Sequence, residues 1–142
     1  MKPVSELLKK HGSTLWHVRP DDTVYAALEA LERWEAGALM VMDGGALVGV
    51  FSERDYTRKV ALKGRNSRET QVREIMSTQV VTVGPAASTQ ACIALMSEKR
   101  IRHLPVVDGH LVLGMISVRD LLEDIIADHE TTIAHLENYI QS

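Results

Sequence analysis

The stretch GVFSERD at residues 49–55 returns 65 residues later as GMISVRD at residues 114–120. Sliding the chain on itself by 65 positions aligns residues 18–55 with residues 83–120 without a gap, and eleven of the 38 pairs are identical. Chance would give roughly two or three identities, because common residues each make up about 5–7% of average proteins. The chain is therefore a duplicated unit, and a function built on two pseudo-symmetric halves is expected.

Length and composition bound the class of protein. The chain has 142 residues, 45% hydrophobic and 25% charged, which is typical of one globular domain. Each repeat alone, at about 60 residues, would be marginally stable, so the halves are expected to share a core. The formal charge of −3 and the absence of a long apolar run predict that neither nucleic acid nor a membrane is a partner.

The sequence favours a soluble, cytoplasmic protein without catalytic or metal chemistry. The single cysteine, Cys92, cannot form an internal disulfide, and the first ten residues lack the apolar segment of a signal peptide. Cys92 falls on the apolar face of a predicted helix and is interpreted as a buried core thiol. The six histidines show no metal-ligand spacing, and no nucleophile elbow or Gly-rich phosphate loop is present.

Each repeat is predicted to fold as β-α-β-β-α. Two apolar runs around a Gly-containing turn indicate a hairpin, and an amphipathic helix precedes it. Asp22 or Thr23 would cap the first such helix, and Ser88 its counterpart. The first repeat has strand 15–18, a helix through residues 24–34, strands 39–42 and 46–51, and helix 53–62. The second repeat has strand 80–83, a helix through residues 92–96, strands 104–107 and 111–116, and a last helix beginning next to Ser117.

The sequence also predicts a linker between the repeats and an extended last helix. Residues 63–70 are polar and basic and are interpreted as a linker, which assigns residues 1–65 to one repeat and 66–142 to the other. The last helix continues past the repeat with apolar spacings of 4, 3, 4, 3 and 4, typical of a heptad seam. The seam is formed by Leu122, Ile126, His129, Ile133, Leu136 and Ile140. It lies either on the core of its own chain or in a self-association interface, and self-association is favoured because little chain remains to cover it.

The repeated motif resembles the signature of the CBS domain, which occurs in tandem pairs called Bateman modules. Both copies have a glycine, two apolar residues, serine, two variable residues and aspartate after an apolar strand, and residues 102–108 (RHLPVVD) match as well. The resemblance covers about residues 4–127, and the stretch around residues 51–76 further resembles small stand-alone CBS-pair proteins of bacteria and organelles. It implies an α+β fold of two β-α-β-β-α CBS repeats related by pseudo-twofold symmetry, with an extended C-terminal helix.

The resemblance implies a non-catalytic regulatory module with two clefts for adenosine-containing ligands such as AMP, ADP, ATP, NAD or S-adenosylmethionine. The chemistry of the motif supports this, because an ionised aspartate in the first turn of a helix suits the paired hydroxyls of a ribose, and the same helix end attracts phosphate. The serine can cap the helix, and the arginine can hold phosphate in a planar fork. The residues are Ser52, Arg54 and Asp55 in the first repeat and Ser117, Arg119 and Asp120 in the second. Further basic side chains are interpreted as a solvated helix face and linker, although they could reach phosphate: Arg58, Lys59, Arg65 and Arg68.

By the same resemblance, adenine lies against the first strand of the other repeat, near Trp16 and Val81, and against the hairpin backbone near Ala38 and His103. A glycine precedes Ala38 in the first repeat, whereas Arg102 precedes His103 in the second. The two clefts are therefore expected to differ in affinity. Trp16 could stack on the base or fill its pocket, and the sequence leaves both open.

The expected mechanism is differential binding, in which a ligand favours one relative orientation of the repeats and so changes a dimer or partner surface. The expected partners are an adenine nucleotide, a second copy of the chain and an unidentified regulated protein. The alternative is a ligand-free interaction protein that regulates a partner, for example a redox protein, through its helical faces. A Trp16 side chain that fills the pocket would favour this alternative.

Overall fold

The structure, a computed structural model, describes residues 2–11 and 16–141, and within them all side chains except those of residues 11, 131–133, 135, 136 and 139–141. The first half contains α1 (Val4–His11), β1 (His17–Val18), α2 (Val24–Trp34), β2 (Ala38–Asp43), β3 (Ala46–Ser52) and α3 (Glu53–Tyr56). The second half contains α4 (Val72–Ile75), α5 (Thr89–Lys99), β4 (His103–Asp108), β5 (Leu111–Ser117) and α6 (Val118–Gln141). The predicted α+β fold of two hairpin-containing repeats with a long last helix is confirmed.

The two hairpins match residue for residue. β2 pairs with β3 and β4 pairs with β5 in antiparallel register, and both hairpins carry an irregularity at the same repeat position, directly after Val41 and Val106. Gly44 and Gly109 turn the two hairpins with φ of 58° and 62°, a left-handed conformation that glycine adopts without steric cost. The repeat in the sequence is therefore a repeat of local backbone geometry.

The first strand of each repeat is shorter than predicted. Only residues 17–18 form β1, parallel to β2, and Leu15 lies outside the described residues. In the second repeat, the predicted strand 80–83 is reduced to a single bridge between Val83 and Val106. The first repeat extends its ladder with Met40 N–H donating to Trp16 O over 3.2 Å. The position that matches Met40 is Pro105, which has no N–H to donate, so the second ladder ends there.

The helix starts are those that the sequence indicates. Thr23, and not Asp22, caps α2, because its Oγ1 accepts the Ala26 N–H over 3.0 Å. Ser88 caps α5 in the same way over 3.1 Å. The predicted helix 53–62 is divided, since α3 passes at residue 57 into a π-helical turn over residues 57–61.

The described residues form two core clusters and not a single one, but each cluster contains residues of both halves, so the halves share their cores as expected. The repeats are joined by exchanged segments that the sequence analysis missed. α1 precedes the first repeat but buries Val4 and Leu7 in the second core, whereas α4 precedes the second repeat but buries Val72 and Ile75 in the first. Each core thus takes an apolar helix from across the linker.

The described part of the predicted seam on α6 does not lie on the core of its own chain. Leu121 is fully buried, whereas Leu122 and Ile126 are 49% and 56% exposed, and His129 is exposed as well. The side chains of Ile133, Leu136 and Ile140 lie outside the described residues. The beginning of the seam is therefore an exposed apolar strip on a helix of 24 residues.

Gly49→Ala is expected to destabilise the fold by about 1–3 kcal/mol, because overpacking of a filled core forces its neighbours to move. A Cβ at this position would lie 2.7 Å from Met76 Sδ and 3.0 Å from the backbone oxygen of Ser77. Gly84→Ala is the matched control, since nothing lies within 4 Å of its added Cβ. Urea unfolding of both variants measures the difference, and equal stabilities would contradict the tight packing of residue 76 on β3.

A candidate ligand-binding cleft

A cavity of about 510 Å³ opens between the two repeats. Seven of the eleven predicted site residues line it: Trp16, Ala38, Arg102, His103, Ser117, Arg119 and Asp120. Trp16 and Ala38 come from the first repeat and the other five from the second. The structure thus gathers the second copy of the motif with the strand and hairpin of the first repeat, in the arrangement that the resemblance implies for one cleft.

The carboxylate of Asp120 is fixed at the wall of the cavity by a reciprocal cap. Ser117 ends β5, and its Oγ accepts the backbone N–H of Asp120 over 3.1 Å. In return, Asp120 Oδ2 accepts the backbone N–H of Ser117 over 2.9 Å. This arrangement is a capping box with aspartate in the third helical position. It holds a negative charge in the first turn of α6, where the helix dipole stabilises it.

Trp16 forms an aromatic wall of the cavity and does not fill it. Its ring is stacked on that of Trp34, with centroids 6.2 Å apart and planes 8° from parallel. Trp34 ends α2 and packs against the first core, so the pair is backed by buried side chains. An indole face held in this way suits stacking with a planar base.

The two repeats differ at the residue before each hairpin, Gly37 in the first and Arg102 in the second, and this difference has a steric reason. The imidazole of His103 packs against Gly37, where an added Cβ would lie 3.2 Å from His103 Cε1. A side chain at residue 37 as large as that of Arg102, its repeat counterpart, would occupy the space of this imidazole. Burial lowers the pKa of His103, Asp120 opposes that effect and Arg102 adds to it.

Charges of both signs surround the cavity, and several residues of its lining were not predicted. Arg102 and Arg119 line it together with three acidic residues, Glu35, Asp120 and Glu123. Arg119 Nε lies 3.2 Å from Glu123 Oε1. Glu123 could have been found from its position three residues after Asp120, which places both on one helix face. No comparable signal marked five other residues that line the cavity: Glu35, Ala36, Met40, Met115 and Val118.

The remaining predicted site residues lie outside this cavity. Ser52 caps α3, and Asp55 closes the same reciprocal cap as its counterpart in the second repeat. Arg54 is exposed, and Val81 packs against the second core. The first copy of the motif is thus built in the same way as the second but does not line the described cavity.

The four basic residues interpreted as solvated are exposed, and three of them also contact other side chains of the chain. Arg65 Nη2 lies 2.6 Å from Glu74 Oε1, and the guanidinium of Arg68 lies 4.4 Å from the ring centre of Tyr25. Lys59 pairs with Asp55. The linker is therefore fastened to the first repeat, and its cations are placed away from the cavity.

The described side chains include no group of three or more histidine, cysteine or acidic residues placed to hold a metal ion. Cys92 is buried, and burial raises the pKa of its thiol, as expected of a core residue. None of the helices in the described ranges has both the length and the apolar character of a membrane span.

Acidification is expected to destabilise the wild type more than a His103→Gln variant. The folded-state pKa of His103 is lowered from 6.5, so below that pH the unfolded chain binds a proton that the folded chain resists. Stability is therefore lost as pH falls through this window, by at most about 1.4 kcal/mol per pH unit for one proton. Urea unfolding at several pH values across this window measures the loss of stability. His110→Gln, at an exposed histidine in the second hairpin turn, should keep the wild-type slope.

Comparisons with known proteins agree with this architecture. The CBS domain family matches residues 4–62 and 72–127. The mitochondrial CBS domain-containing protein CBSX3 of Arabidopsis thaliana is 36% identical over 97% of this chain and 71% of that protein. A solved CBS-domain protein from Burkholderia ambifaria is 45% identical over 89% of this chain and 96% of that chain, with a TM-score of 0.86. A hexameric CBS-CP12 protein from bloom-forming cyanobacteria is 28% identical over 86% of this chain and 70% of that chain, with a TM-score of 0.75. The chain therefore belongs to the CBS-domain family and carries two CBS domains in tandem.

Proposed function

We propose that this CBS pair is a non-catalytic signalling module that binds an adenosine-containing ligand in the cavity between its repeats. The observation that carries the proposal is the position of Asp120, a carboxylate fixed by its cap in the first turn of α6 at the cavity wall. An ionised carboxylate accepts two hydrogen bonds and so suits the 2′ and 3′ hydroxyls of a ribose. The stacked Trp16 ring in the wall from the other repeat gives the adenine a flat apolar surface.

The size and charge of the cavity rank the candidate ligands. Its volume of about 510 Å³ lies within the range of small-molecule sites, about 300–1,000 Å³. The lining contains two arginines and three acidic residues, so it has no excess of positive charge for the several negative charges of a triphosphate. Arg119 also pairs with Glu123. We therefore propose AMP as the preferred ligand, ahead of ADP, NAD and ATP.

Calorimetric titration of the purified protein with AMP, ATP, NAD and S-adenosylmethionine tests this function. Saturable binding with AMP tighter than ATP supports it. Quenching of tryptophan fluorescence on AMP addition would report contact with the stacked pair Trp16 and Trp34. Failure of all four compounds to bind would contradict the nucleotide function and leave the ligand-free interaction protein as the better interpretation. The cavity itself argues against that alternative, because Trp16 does not fill it.

The proposed module acts as a dimer on a partner protein. The described beginning of the α6 seam, Leu122 and Ile126, exposes apolar surface on the helix whose first turn carries Asp120. A ligand that moves this first turn would move the exposed strip with it, which supplies a route from binding to association. A regulated partner protein and a cytoplasmic location belong to the same proposal. The mitochondrial relative makes an organelle the alternative location.

A further inference from the structure

We infer that two molecules associate in opposite orientation, so that a basic segment in the first repeat of each lies against an acidic segment in the second repeat of the other. This inference rests on the dimer of the proposed function and adds its orientation. The basic segment is residues 58–65, and the acidic segment is residues 123–130. They follow the first and the second copy of the repeated motif.

The two segments occupy equivalent positions in the repeats but carry opposite charge. Each follows a hairpin of the same register and a helix start with the same reciprocal cap. When the shift of 65 residues is continued, every charged residue of the basic segment has a counterpart of opposite sign in the acidic one. The pairs are Arg58 and Glu123, Lys59 and Asp124, Lys63 and Asp128, and Arg65 and Glu130.

Part of this charge is neutralised within the chain, and the rest is exposed. Asp124 is buried and bound by Lys2 over 3.2 Å. Arg58 and Lys63 are exposed, and the described side chains include no acidic partner for either. Glu130 is exposed on α6 and has no cationic partner among the same side chains. The other charges are exposed but also paired: Lys59 with Asp55, Arg65 with Glu74, Glu123 with Arg119 and Asp128 with Lys2.

Exposed apolar side chains accompany both segments. Leu62 is 76% exposed within the basic segment, whereas Leu122 and Ile126 are 49% and 56% exposed at the start of the acidic one. These are three of the five large hydrophobic side chains that are exposed in the described part of the chain. Apolar surface bordered by charge is typical of a protein–protein interface. Each segment therefore offers apolar contact together with a charge that the other segment complements.

Charge decides between the two ways in which a twofold dimer could pair these segments. In a parallel dimer, each segment meets the same segment of the second molecule, which brings like charges together. In the opposite orientation, each basic segment meets an acidic one, and the twofold axis repeats this contact at the other end of the interface. Like charges placed together disfavour an association, whereas complementary charges guide it and fix its register. The sequence of the segments therefore favours the opposite orientation.

Charge reversal tests this pairing, with the dimer dissociation constant measured by sedimentation equilibrium. Arg58→Glu/Lys63→Glu should raise this constant about 10-fold or more, since it opposes like charges in both halves of the interface. Glu130→Lys should raise it in the same way. An equimolar mixture of the two variants should associate more tightly than either variant alone, because the reversed segments complement each other. Wild-type association of Arg58→Glu/Lys63→Glu would overturn the inference.

Exposed positions outside both segments provide the controls. Lys9→Glu/Lys99→Glu makes the same change in net charge as the double variant, and Asp108→Lys matches the single one. Both should keep the wild-type dissociation constant. The wild-type constant should also rise with salt, since screening weakens the attraction between exposed opposite charges. A wild type that binds AMP but stays monomeric at every concentration would overturn the inference and leave the nucleotide function standing.

Cross-linking reads the orientation directly. A short bismaleimide joins two thiols, and the native Cys92 is fully buried and does not compete. Leu62→Cys mixed with Ile126→Cys should give cross-linked dimers, whereas neither variant should give them alone. Leu111→Cys, at a leucine of similar exposure in the second hairpin, should give none with either variant. Cross-linking of Leu62→Cys with itself, or none in the mixture, would overturn the opposite orientation.

Discussion

Asp120→Asn is expected to weaken AMP binding about 100-fold or more. The ionised carboxylate offers two charge-assisted hydrogen bonds to the ribose, each worth about 1.5–3 kcal/mol, and about 2.8 kcal/mol corresponds to 100-fold. Asparagine keeps the shape of the side chain and one acceptor oxygen. That oxygen can still accept the Ser117 N–H, so the cap and the start of α6 should survive. Calorimetric titration gives the change in Kd.

The same chemical change at an exposed position serves as the control for this variant. Asp108 lies in the second hairpin, exposed and outside the cavity lining, so Asp108→Asn removes one negative charge without touching the site. It should bind AMP as the wild type does. Thermal unfolding of both variants checks that the fold is kept. If Asp120→Asn bound AMP with the wild-type Kd, the ribose would not lie on this carboxylate, and the assignment of the site would be wrong.

The parts of the fold that were predictable depend on neighbours along the chain. The shift of 65 located both hairpins, because their turns, strands and caps are set by residues close in sequence. The pairing of Gly49 with Val41 and of Gly114 with Val106 shows the same register in both copies. The first strand of the second repeat is shorter than predicted, because its apolar run carries no information about Pro105 on the neighbouring strand. Pro105 has no N–H to donate, so the ladder stops there.

The exchanged helices escaped prediction because they follow a different offset. Val4 and Val72 make equivalent bonds, to Ala87 O over 2.7 Å and to Asp22 O over 2.9 Å, yet they are 68 residues apart. An alignment without gaps at 65 ends before it reaches them. The short α4 also shows little periodicity of its own. Only packing against the opposite core identifies the two segments as counterparts.

The sequence predicted the motif of the candidate site and a difference between the two clefts, but not the contacts around each aspartate. The repeated serine and aspartate predicted two equivalent caps, and the structure has both. Two side chains besides the cap contact Asp55: Lys59, four residues further along the same helical segment, and Ser77, which follows α4. The i, i+4 spacing of Lys59 can be read from the sequence. The Ser77 contact cannot, because it depends on where α4 returns to the sheet.

Fragments cut at the repeat boundary, residues 1–65 and 66–142, are expected to be largely unfolded alone and to regain structure when mixed. The first fragment lacks Val72 and Ile75, which are 0% and 2% exposed in the first core. Burying two such side chains contributes about 3–6 kcal/mol, comparable to the whole stability of a small domain. The second fragment lacks Val4 and Leu7 in the same way. Near-ultraviolet circular dichroism of each fragment and of the mixture measures the recovery.

A longer first fragment separates the exchange of segments from the general weakness of small domains. Residues 1–77 include α4 and complete the first core, although α1 remains without its partner. This fragment should unfold cooperatively where residues 1–65 do not. Cooperative unfolding of residues 1–65 alone would show that the repeat is an independent unit and that α4 only covers it. If residues 1–65 do not unfold cooperatively, as expected, each repeat is completed by the segment that precedes the other repeat. Movement between the repeats must then also move the helices that close their cores.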